Sequence, residues 1–528
     1  MREIFQRNNK SKDKEVCQLF IVATKKFARL SITFINFLVA AGSVKMFAPE
    51  GNQFKFIALY FALGFFGYFP DGYSGLYPNT AIDSFKNFYN QSYIDRGYAH
   101  GLSENAWDWL WSATLTIWFP GFLLGNFVTP VLADKYGRRI TLIIANAISL
   151  FGTCLAVLSI QVEVPELFIV SHFFLSIGPG MSFIGVVLFM QETAATESRG
   201  LAIALGENAY VACGILGVVC GMQSLLGNHL RVLAGIGIPP SVLAIVLISL
   251  MQESPKYLLI NRNDRKRALK AIEYYQGRKP NNEQLLDEMY LEASEDELTE
   301  NSLYFVIQVF KIPHLRRAFF VGTATMQVIT TMVAFQDLST DFFENHFSED
   351  TAQYLSFGFV LANFLGGFIA MPIIDRIGRR PLYLINYAIS IICVTAYVIF
   401  DRVAFQYPWL RWPMIGSIAL FSIVFGMALS PIAFSITTEM VAQKHRSIVQ
   451  TMVFSTNTIM NFAFAFFVLP AFTNLTSLIL LPLFVLPAII CFIYLYFQMP
   501  ETCGREVHQV VEELMGATKS QPNSIDRL

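Results

Sequence analysis

The residues with the clearest chemical potential are carboxylates and guanidinium groups, and they occur in three repeated groups. An Asp-Lys/Arg-x-Gly-Arg-Arg sequence occurs over residues 134–139 and again over residues 375–380. A glutamate seven residues before an arginine, and a glutamate just after an apolar segment, also occur twice in the same order and at nearly the same separation. This repetition indicates two halves of common design. The repeated charged residues are Asp134, Arg138, Arg139, Glu192, Arg199, Glu253, Asp375, Arg379, Arg380, Glu439, Arg446 and Glu501.

These groups have the chemistry of a gate. Arginine pairs with a carboxylate through two parallel hydrogen bonds, so such pairs can hold helix ends together. We expect these pairs to break when the two halves rock apart. Each exposed pair contributes only about 0–1 kcal/mol, and a cluster can therefore bias two conformations without locking either. Gly137 and Gly378 would allow a tight turn inside each Asp-containing group. The alternative is that the positive charges only anchor the topology of the chain.

The elements that must position these groups are long apolar segments. Of the 528 residues, 54% are apolar and 15% are charged, and the formal net charge is -1. Apolar runs of about 20 residues recur along the chain, and each can cross roughly 30 Å of hydrocarbon. The charge balance offers no basic surface for nucleic acid. The sequence contains no phosphate loop, metal cluster or nucleophile–base arrangement, so we expect neither an enzyme nor a cofactor or metal.

Hydropathy predicts an all-α membrane protein with twelve spans in two six-helix halves. The predicted spans are 56–79, 109–132, 140–160, 167–190, 201–225, 231–251, 318–340, 353–374, 381–400, 414–438, 447–470 and 477–498. The predicted organisation is a cytosolic N-terminal segment with an interfacial helix near 30–44 (1–54), an N-terminal bundle (55–251), a cytosolic linker with short helices (252–317), a C-terminal bundle (318–498) and a cytosolic tail (499–528).

The distribution of Lys and Arg predicts the orientation in the membrane. These residues are concentrated in the N-terminal segment, in the loops 132–140 and 375–380 and in the central linker, which we therefore place in the cytosol of a plasma-membrane protein. Asn90 and Asn474 lie in Asn-x-Ser/Thr sequences of predicted outer loops and are candidate glycosylation sites. Tryptophans at the outer ends of spans are expected at headgroup level, and they are Trp107, Trp109, Trp111, Trp409 and Trp412.

In these motifs the chain resembles the sugar-porter branch of the major facilitator superfamily, especially the animal facilitative glucose transporters. Further matching motifs are Glu-Ser-Pro-Lys over 253–256, Pro-Glu-Thr-Cys-Gly-Arg over 500–505 and Gly72-Tyr73 in the first span. The resemblance covers roughly residues 55–510. It implies the major facilitator fold and alternating access of a midplane site to the two sides of the membrane. The implied partners are the lipid bilayer and a small neutral solute, a sugar or polyol; a monomer would suffice, and the oligomeric state is open.

The resemblance also implies which residues would hold the sugar. Amides both donate and accept hydrogen bonds, which suits hydroxyl-rich ligands, although amides in membrane helices also join helices to each other. Asn208 replaces a glutamine of the family and Phe434 a tryptophan. The implied substrate-binding residues are Gln327, Asn363, Asn208, Asn457, Asn461 and Phe434.

Further positions also depart from the family pattern. Val328, Val333 and Gly426 replace a glutamine, an asparagine and a glutamate, and His172 stands where the fourth span of the family has an arginine, which we expect to weaken the cytosolic gate. The scaffold is therefore retained while the hexose site is altered.

Three carboxylates, Asp71, Glu207 and Asp337, fall inside predicted spans, where a carboxylate is costly and indicates function. Proton-coupled sugar porters carry an aspartate where this chain has Ser74, which favours facilitated diffusion. Asp71 and Asp337 could instead lie in an outer vestibule. Glu207, together with Asp71, is a candidate for proton coupling or for selecting a cationic substrate. The open functions are a hexose or polyol uniporter, a proton-coupled or organic-cation transporter, and a non-transporting nutrient sensor on the same scaffold.

Overall fold

The computed structural model of the chain is helical in the parts that it describes, which are residues 53–98, 101–195, 199–278, 280–294, 309–441, 443–503, 505 and 507–514. Within those parts, twelve long spans are numbered here in chain order. The first six are Gln53–Thr80, Glu104–Tyr136, Arg138–Gln161, Pro165–Thr193, Arg199–Gly221 and Leu230–Leu250. The last six are Pro313–Glu344, Glu349–Ile377, Arg379–Ala404, Pro408–Met440, Gln443–Leu475 and Ser477–Gln498. The predicted all-α fold with twelve spans is confirmed, whereas the predicted interfacial helix near 30–44 lies outside the described residues.

Ten of these spans are long and apolar enough to cross a membrane. The first and eleventh spans, with 28 and 33 residues, are long enough but more polar. Both place polar side chains on a central cavity, among them Asp71 on the first span and Asn461 on the eleventh. Because a water-filled cavity tolerates polar groups that lipid does not, their lower apolarity is compatible with crossing the membrane.

Corresponding pairs of spans pack together in the two halves. In the N-terminal half the first span packs on the fifth and the third on the fourth; in the C-terminal half the seventh packs on the eleventh and the ninth on the tenth. The halves meet where the second span packs on the eleventh and the fifth on the eighth. This correspondence matches the repeated sequence groups.

Two glycines form the turns that the repeated groups predicted. Gly137 and Gly378 have φ of 100° and 93°, a conformation that favours glycine, and each ends one span and precedes the next. A Cβ at Gly137 would lie 2.3 Å from Oε2 of Glu253, and one at Gly378 would lie 2.8 Å from Oε2 of Glu501. Glycine is therefore required at both positions for backbone conformation and for space.

The tenth span changes its winding in the middle. A π-helical turn, Phe425–Leu429, separates the helix Arg411–Val424 from the helix Ser430–Met440. Pro431 follows this turn, and a proline inside a helix removes one backbone hydrogen bond. The irregular turn ends at Ser430, which lines the central cavity.

The linker forms a small unit on one end of the bundle, called the linker face below. Its helices are Pro255–Ile260, Arg265–Gln276 and Asn282–Ser294. The unit is attached to the N-terminal half by hydrogen bonds from Tyr257 Oη to the Lys135 carbonyl (3.1 Å) and from Gln276 Nε2 to the Thr193 carbonyl (3.2 Å). In the C-terminal half the helix Val507–Leu514 packs on the seventh and tenth spans. The apolar core of the linker unit consists of Leu258, Leu259, Ala268, Ala271, Ile272, Leu286 and Met289.

The opposite end of the bundle is called the far face. The helix Ile82–Asp95 follows the first span there, and its Phe85 and Tyr89 pack against Trp107 and Trp111, which are 5% and 1% exposed. An aromatic cluster therefore buries these two tryptophans inside the protein, so they do not face lipid. The other three tryptophans are 46%, 66% and 68% exposed, and they are Trp109, Trp409 and Trp412.

Candidate functional site

A cavity of about 160 Å³ lies between the two halves. The first, second, fourth and fifth spans line it from one half, and the seventh, eighth, tenth and eleventh spans line it from the other. These are corresponding spans, since the seventh repeats the first and the eleventh repeats the fifth. The duplicated design seen in the sequence therefore converges on one site.

Each polar span presents one helical face to the cavity, because residues three or four apart share a face. On the first span this face carries Asp71, Ser74 and Pro78. Tyr210 follows Glu207 by three residues on the fifth span, and the i, i+3 spacing could have predicted its cavity position from the sequence. Other polar lining residues that the sequence did not single out are Gln336, Ser430 and Thr458.

Contacts between the halves close the cavity on the far-face side. Asn79, at the end of the first span, is 4% exposed. Its Nδ2 donates to the Gln336 carbonyl and to Ser339 Oγ, both at 2.9 Å. The backbone N–H of Thr340 donates to Asn79 Oδ1 at 3.3 Å. These hydrogen bonds tie the first span to the seventh.

Aromatic rings close the cavity toward the linker face. The ring of Phe183, from the fourth span, lies 5.0 Å from that of Phe434 and 5.9 Å from that of Phe454. The latter two belong to the tenth and eleventh spans, so this cluster also joins the halves. Phe434 lines the cavity, as the resemblance implied, and does so as part of the cluster.

Three of the implied amides line the cavity, namely Asn363, Asn457 and Asn461. Asn457 Nδ2 donates to the Met326 carbonyl at 2.9 Å, and Asn461 Nδ2 donates to Asn457 Oδ1 at 3.2 Å. Asn461 Oδ1 is buried without a hydrogen-bond partner. Asn457 therefore uses its donors inside the protein, whereas Asn461 keeps one N–H group and its acceptor free.

Two implied amides do not line this cavity. Gln327 accepts a hydrogen bond from Tyr387 Oη at 2.5 Å and donates to the Phe484 carbonyl at 3.3 Å. Asn208 Nδ2 donates to the Ala204 carbonyl at 2.9 Å, and its Oδ1 lies at Gly367 of the eighth span. The structure thus corrects the sequence prediction for Gln327 and Asn208, because both amides are engaged in helix packing.

The altered family positions have structural explanations. Gly426 packs directly on the eighth span, since a Cβ there would lie 2.2 Å from the carbonyl oxygen of Asn363. Val333 lines the cavity, and Val328 lies beside Gln327. His172 also lines the cavity, with its ring 6.0 Å from that of Trp118. The expectation that His172 weakens a cytosolic gate is therefore wrong, because it lies on the other side of the cavity from the linker-face charges.

All three membrane carboxylates line the same cavity, although they come from the first, fifth and seventh spans. Asp71 lies within electrostatic range of both Glu207 and Asp337. Ser430 of the tenth span lines the cavity together with Glu207, from the other half. The alternative of a separate outer vestibule for Asp71 and Asp337 is thereby replaced by a common site.

The repeated charged groups form one cluster at the linker face of each half. In the first cluster Arg138 Nη2 lies 2.9 Å from Glu192 Oε1, with side chains 11% and 7% exposed. Ser254 Oγ donates to Glu192 Oε2 at 2.5 Å. Glu253 accepts the backbone N–H groups of Arg139 (3.1 Å) and Ser254 (2.9 Å). Burial raises the pKa of the Glu253 carboxyl, although these donors and Arg138 partly oppose the shift.

The second cluster repeats this geometry. Arg379 Nε lies 3.6 Å from Glu439 Oε1, and Thr502 Oγ1 donates to Glu439 Oε2 at 2.5 Å. Glu501 accepts the backbone N–H groups of Arg379 (2.9 Å) and Arg380 (3.2 Å). The second arginine of each group binds a carbonyl near the end of the last span of its half: Arg139 the Met251 carbonyl and Arg380 the Tyr496 carbonyl.

These ion pairs and hydrogen bonds each lie within one half. The gate hypothesis expected pairs that break when the halves separate, whereas the contacts described above hold the helix ends of each half together. Asp134 is 66% exposed and 3.6 Å from Arg138. The side chains of Arg199, Asp375 and Arg446 lie outside the described residues.

The two candidate glycosylation sites differ in how far the structure describes them. Asn90 lies on the helix Ile82–Asp95 at the far face, and its Oδ1 accepts the Leu102 N–H at 2.9 Å. The side chain of Asn474 lies outside the described residues.

The sequence profile of the family described as "Sugar (and other) transporter" matches residues 62–514. The chain belongs to this family. Solute carrier family 2, facilitated glucose transporter member 7 of Mus musculus is 28% identical over 83% of this chain and 85% of its own length. Member 1 from Gallus gallus is 24% identical over 85% and 91%.

Solved structures support the major facilitator fold. The proton:xylose symporter XylE bound to 6-bromo-6-deoxy-D-glucose superimposes with a TM-score of 0.71 at 16% identity, over 86% of this chain and 98% of that chain. The inward open form of XylE from E. coli gives 0.64 at 16% identity, over 87% and 99%. This sugar porter is thus a multi-pass membrane protein of a transporter family.

Proposed function

We propose that the protein carries a hexose or related small polyol across the plasma membrane by alternating access, as facilitated diffusion. The observation that carries this proposal is a cavity between the halves, lined by corresponding spans of each and flanked on both sides by contacts between the halves. In transporters built from such repeats, rocking of one half against the other exposes a midplane site to each side in turn. One chain supplies the whole cavity, so a monomer suffices.

The size and chemistry of the cavity suit a monosaccharide. A volume of about 160 Å³ has room for several water molecules, at the roughly 30 Å³ that each takes in the liquid, so the cavity is of a size for a small solute. Asn363 and Asn461 supply amide groups for hydroxyls, and Phe434 supplies an apolar surface for a sugar ring. The facilitated glucose transporters named above belong to the same family and span nearly the same length.

The contacts suggest how the halves move. Opening toward the far face requires loss of the Asn79 hydrogen bonds to the seventh span. Opening toward the linker face requires separation of Phe183 from Phe434 and Phe454. The two charge clusters keep the helix ends of each half together, so each half can move as a rigid body.

The linker face is proposed to be cytosolic, with both termini on the same side, because Lys and Arg are concentrated there. Asn90 on the far face is then extracellular and glycosylated. Expression in mammalian cells should give a band that shifts on removal of N-glycans, and Asn90→Gln should remove that share of the shift. This orientation would be contradicted if Asn90→Gln kept the full band shift and a tag on the N-terminus of the protein were accessible from outside intact cells.

Transport is tested with the purified full chain in liposomes. Radiolabelled glucose, fructose, xylose, inositol and glucosamine are offered in counterflow, with equal pH on both sides. At least one of these solutes should accumulate transiently inside the liposomes, and Asn461→Ala should slow its uptake by about tenfold. Asn87→Ala, at an exposed position of the far face, is the matched control and should transport like the parent.

Two outcomes would change the proposal. If folded, monodisperse protein moves none of these solutes, the proposed transport of sugars or polyols is wrong. If a pH gradient drives net accumulation of a neutral sugar, proton coupling replaces facilitated diffusion.

A further inference from the structure

The central cavity is strongly acidic. Asp71, Glu207 and Asp337 reach it from three different spans. Among the described residues that line it, none is Lys or Arg, and His172 is the one side chain that could carry a positive charge. Even with His172 counted, acidic side chains outnumber basic ones among the described lining residues. A carboxylate at membrane depth is costly without a partner.

The hydrogen-bond state of the lining points in the same direction. Asn457 Nδ2 donates to the Met326 carbonyl and to Thr330 Oγ1, so both of its N–H groups are used inside the protein. Asn461 Nδ2 gives one of its two N–H groups to Asn457 Oδ1, and Thr458 Oγ1 donates to the Phe454 carbonyl at 2.8 Å. In contrast, Asn461 Oδ1 has no partner, although the side chain is only 7% exposed and lines the cavity. The cavity therefore offers a free acceptor beside its three carboxylates to whatever occupies it.

An ammonium group has complementary chemistry, because it carries a positive charge and three donors but no acceptor. Hydroxyl groups can donate to Asn461 Oδ1, and the rings of Phe183, Phe434 and Phe454 offer faces that attract cations. We infer that the cavity prefers a polyhydroxylated solute with a positively charged amine, of the amino-sugar class. This inference rests on the proposed transport of sugars and polyols, and it narrows the substrate within that class.

The decisive test compares matched solutes on the unmodified protein. Uptake of glucosamine, glucose and the neutral N-acetylglucosamine is measured in liposomes at pH 6.5 on both sides. Glucosamine is then a cation, since such an amine titrates near pH ~8. We expect kcat/KM for glucosamine to exceed that for glucose by at least tenfold. An inside-negative membrane potential should accelerate glucosamine uptake and leave glucose uptake unchanged.

The outcomes separate this inference from the proposed function. If glucose is carried as well as glucosamine, the protein transports sugars but the inferred preference is wrong. If none of the three solutes, nor any polyol, is moved, the proposed function itself fails. If a pH gradient drives glucose uptake and Glu207→Gln abolishes that drive, the carboxylates carry protons and the inference is overturned.

Variants locate the preference in the carboxylates. Asp71→Asn, Glu207→Gln and Asp337→Asn should each lower the glucosamine-to-glucose ratio of kcat/KM by about tenfold or more, a readout that a general loss of activity would not move. Asp95→Asn removes an exposed far-face carboxylate that accepts a hydrogen bond from Gln91 (2.8 Å) and should leave the ratio unchanged. An unchanged ratio in all three cavity variants contradicts the inference. Should a variant fail to fold, the comparison of solutes on the unmodified protein still decides.

Discussion

The hydrogen bonds of Asn79 make a quantitative prediction about how the far face opens. Asn79→Ala removes three hydrogen bonds between the first and seventh spans, two from its Nδ2 at 2.9 Å and one to its Oδ1 at 3.3 Å. Hydrogen bonds between membrane helices contribute about 0.6 kcal/mol each on average. Their loss should therefore shift the closed-to-open equilibrium of the far face by about 1.8 kcal/mol, which corresponds to roughly twentyfold.

Accessibility of a cavity position to a membrane-impermeant thiol reagent measures this shift. Val333→Cys places a thiol on the cavity lining, and its labelling from outside intact cells is compared with that of the parent without the added cysteine. When closure limits labelling, the labelling rate in the Asn79→Ala background should rise by up to about twentyfold. Asn87→Ala, exposed on the same face, should leave the rate unchanged. A rate no faster in Asn79→Ala than in Asn87→Ala would refute the idea that these contacts hold the far face closed.

Three further predictions concern stability, measured as thermal unfolding in detergent. Gly426→Ala places a Cβ 2.2 Å from the Asn363 carbonyl oxygen and should destabilise the protein by about 1–3 kcal/mol. Glu192→Gln breaks the pair with Arg138, whose side chains are 7% and 11% exposed, and should cost about 2 kcal/mol. Burial raises the pKa of Glu253 in the folded protein, so the native state binds this proton more tightly and stability should fall as pH rises from about 4.3 through the raised pKa. That decrease should be smaller in Glu253→Gln.

Matched variants distinguish these effects from general damage. Gly416→Ala lies in the same span as Gly426, where an added Cβ meets no atom within 4 Å, and should not destabilise. Glu166→Gln breaks an exposed pair with Arg96, whose side chains are 47% and 37% exposed, and should cost about 0–1 kcal/mol. If Glu166→Gln and Glu192→Gln lowered the stability equally, burial of the Arg138–Glu192 pair would contribute nothing to stability. If the stability of Glu253→Gln depended on pH in the same way as that of the parent, Glu253 would not be the source of the decrease.

The charge clusters show where reasoning from the repeated groups succeeded and where it stopped. Repetition and residue type predicted that Arg138 and Glu192 act together, and their pairing is observed. Spacing along the chain carries no information about which half a partner comes from. The contact between Ser254 and Glu192, which keeps this pairing inside one half, became visible only when the helices were placed.

The amides also show what the sequence can and cannot predict. The family resemblance implied the same role for Gln327 and Asn363, yet helix rotation directs Gln327 into packing with Tyr387 and places Asn363 on the cavity. A polar residue in a span has the same local sequence signal in either position, because hydropathy and periodicity report burial and not the identity of the neighbour.

The sequence by itself determined the class of protein, the twelve spans, the two halves and the glycine turns, because these follow from length, apolarity and local backbone geometry. It also identified Asp71, Glu207 and Asp337 as unusual, since each is costly in a membrane wherever it lies. Only the tertiary structure decided that the three share one cavity, because they come from separate spans and their convergence depends on how whole helices pack. The acidic character of the site is therefore a property of the fold.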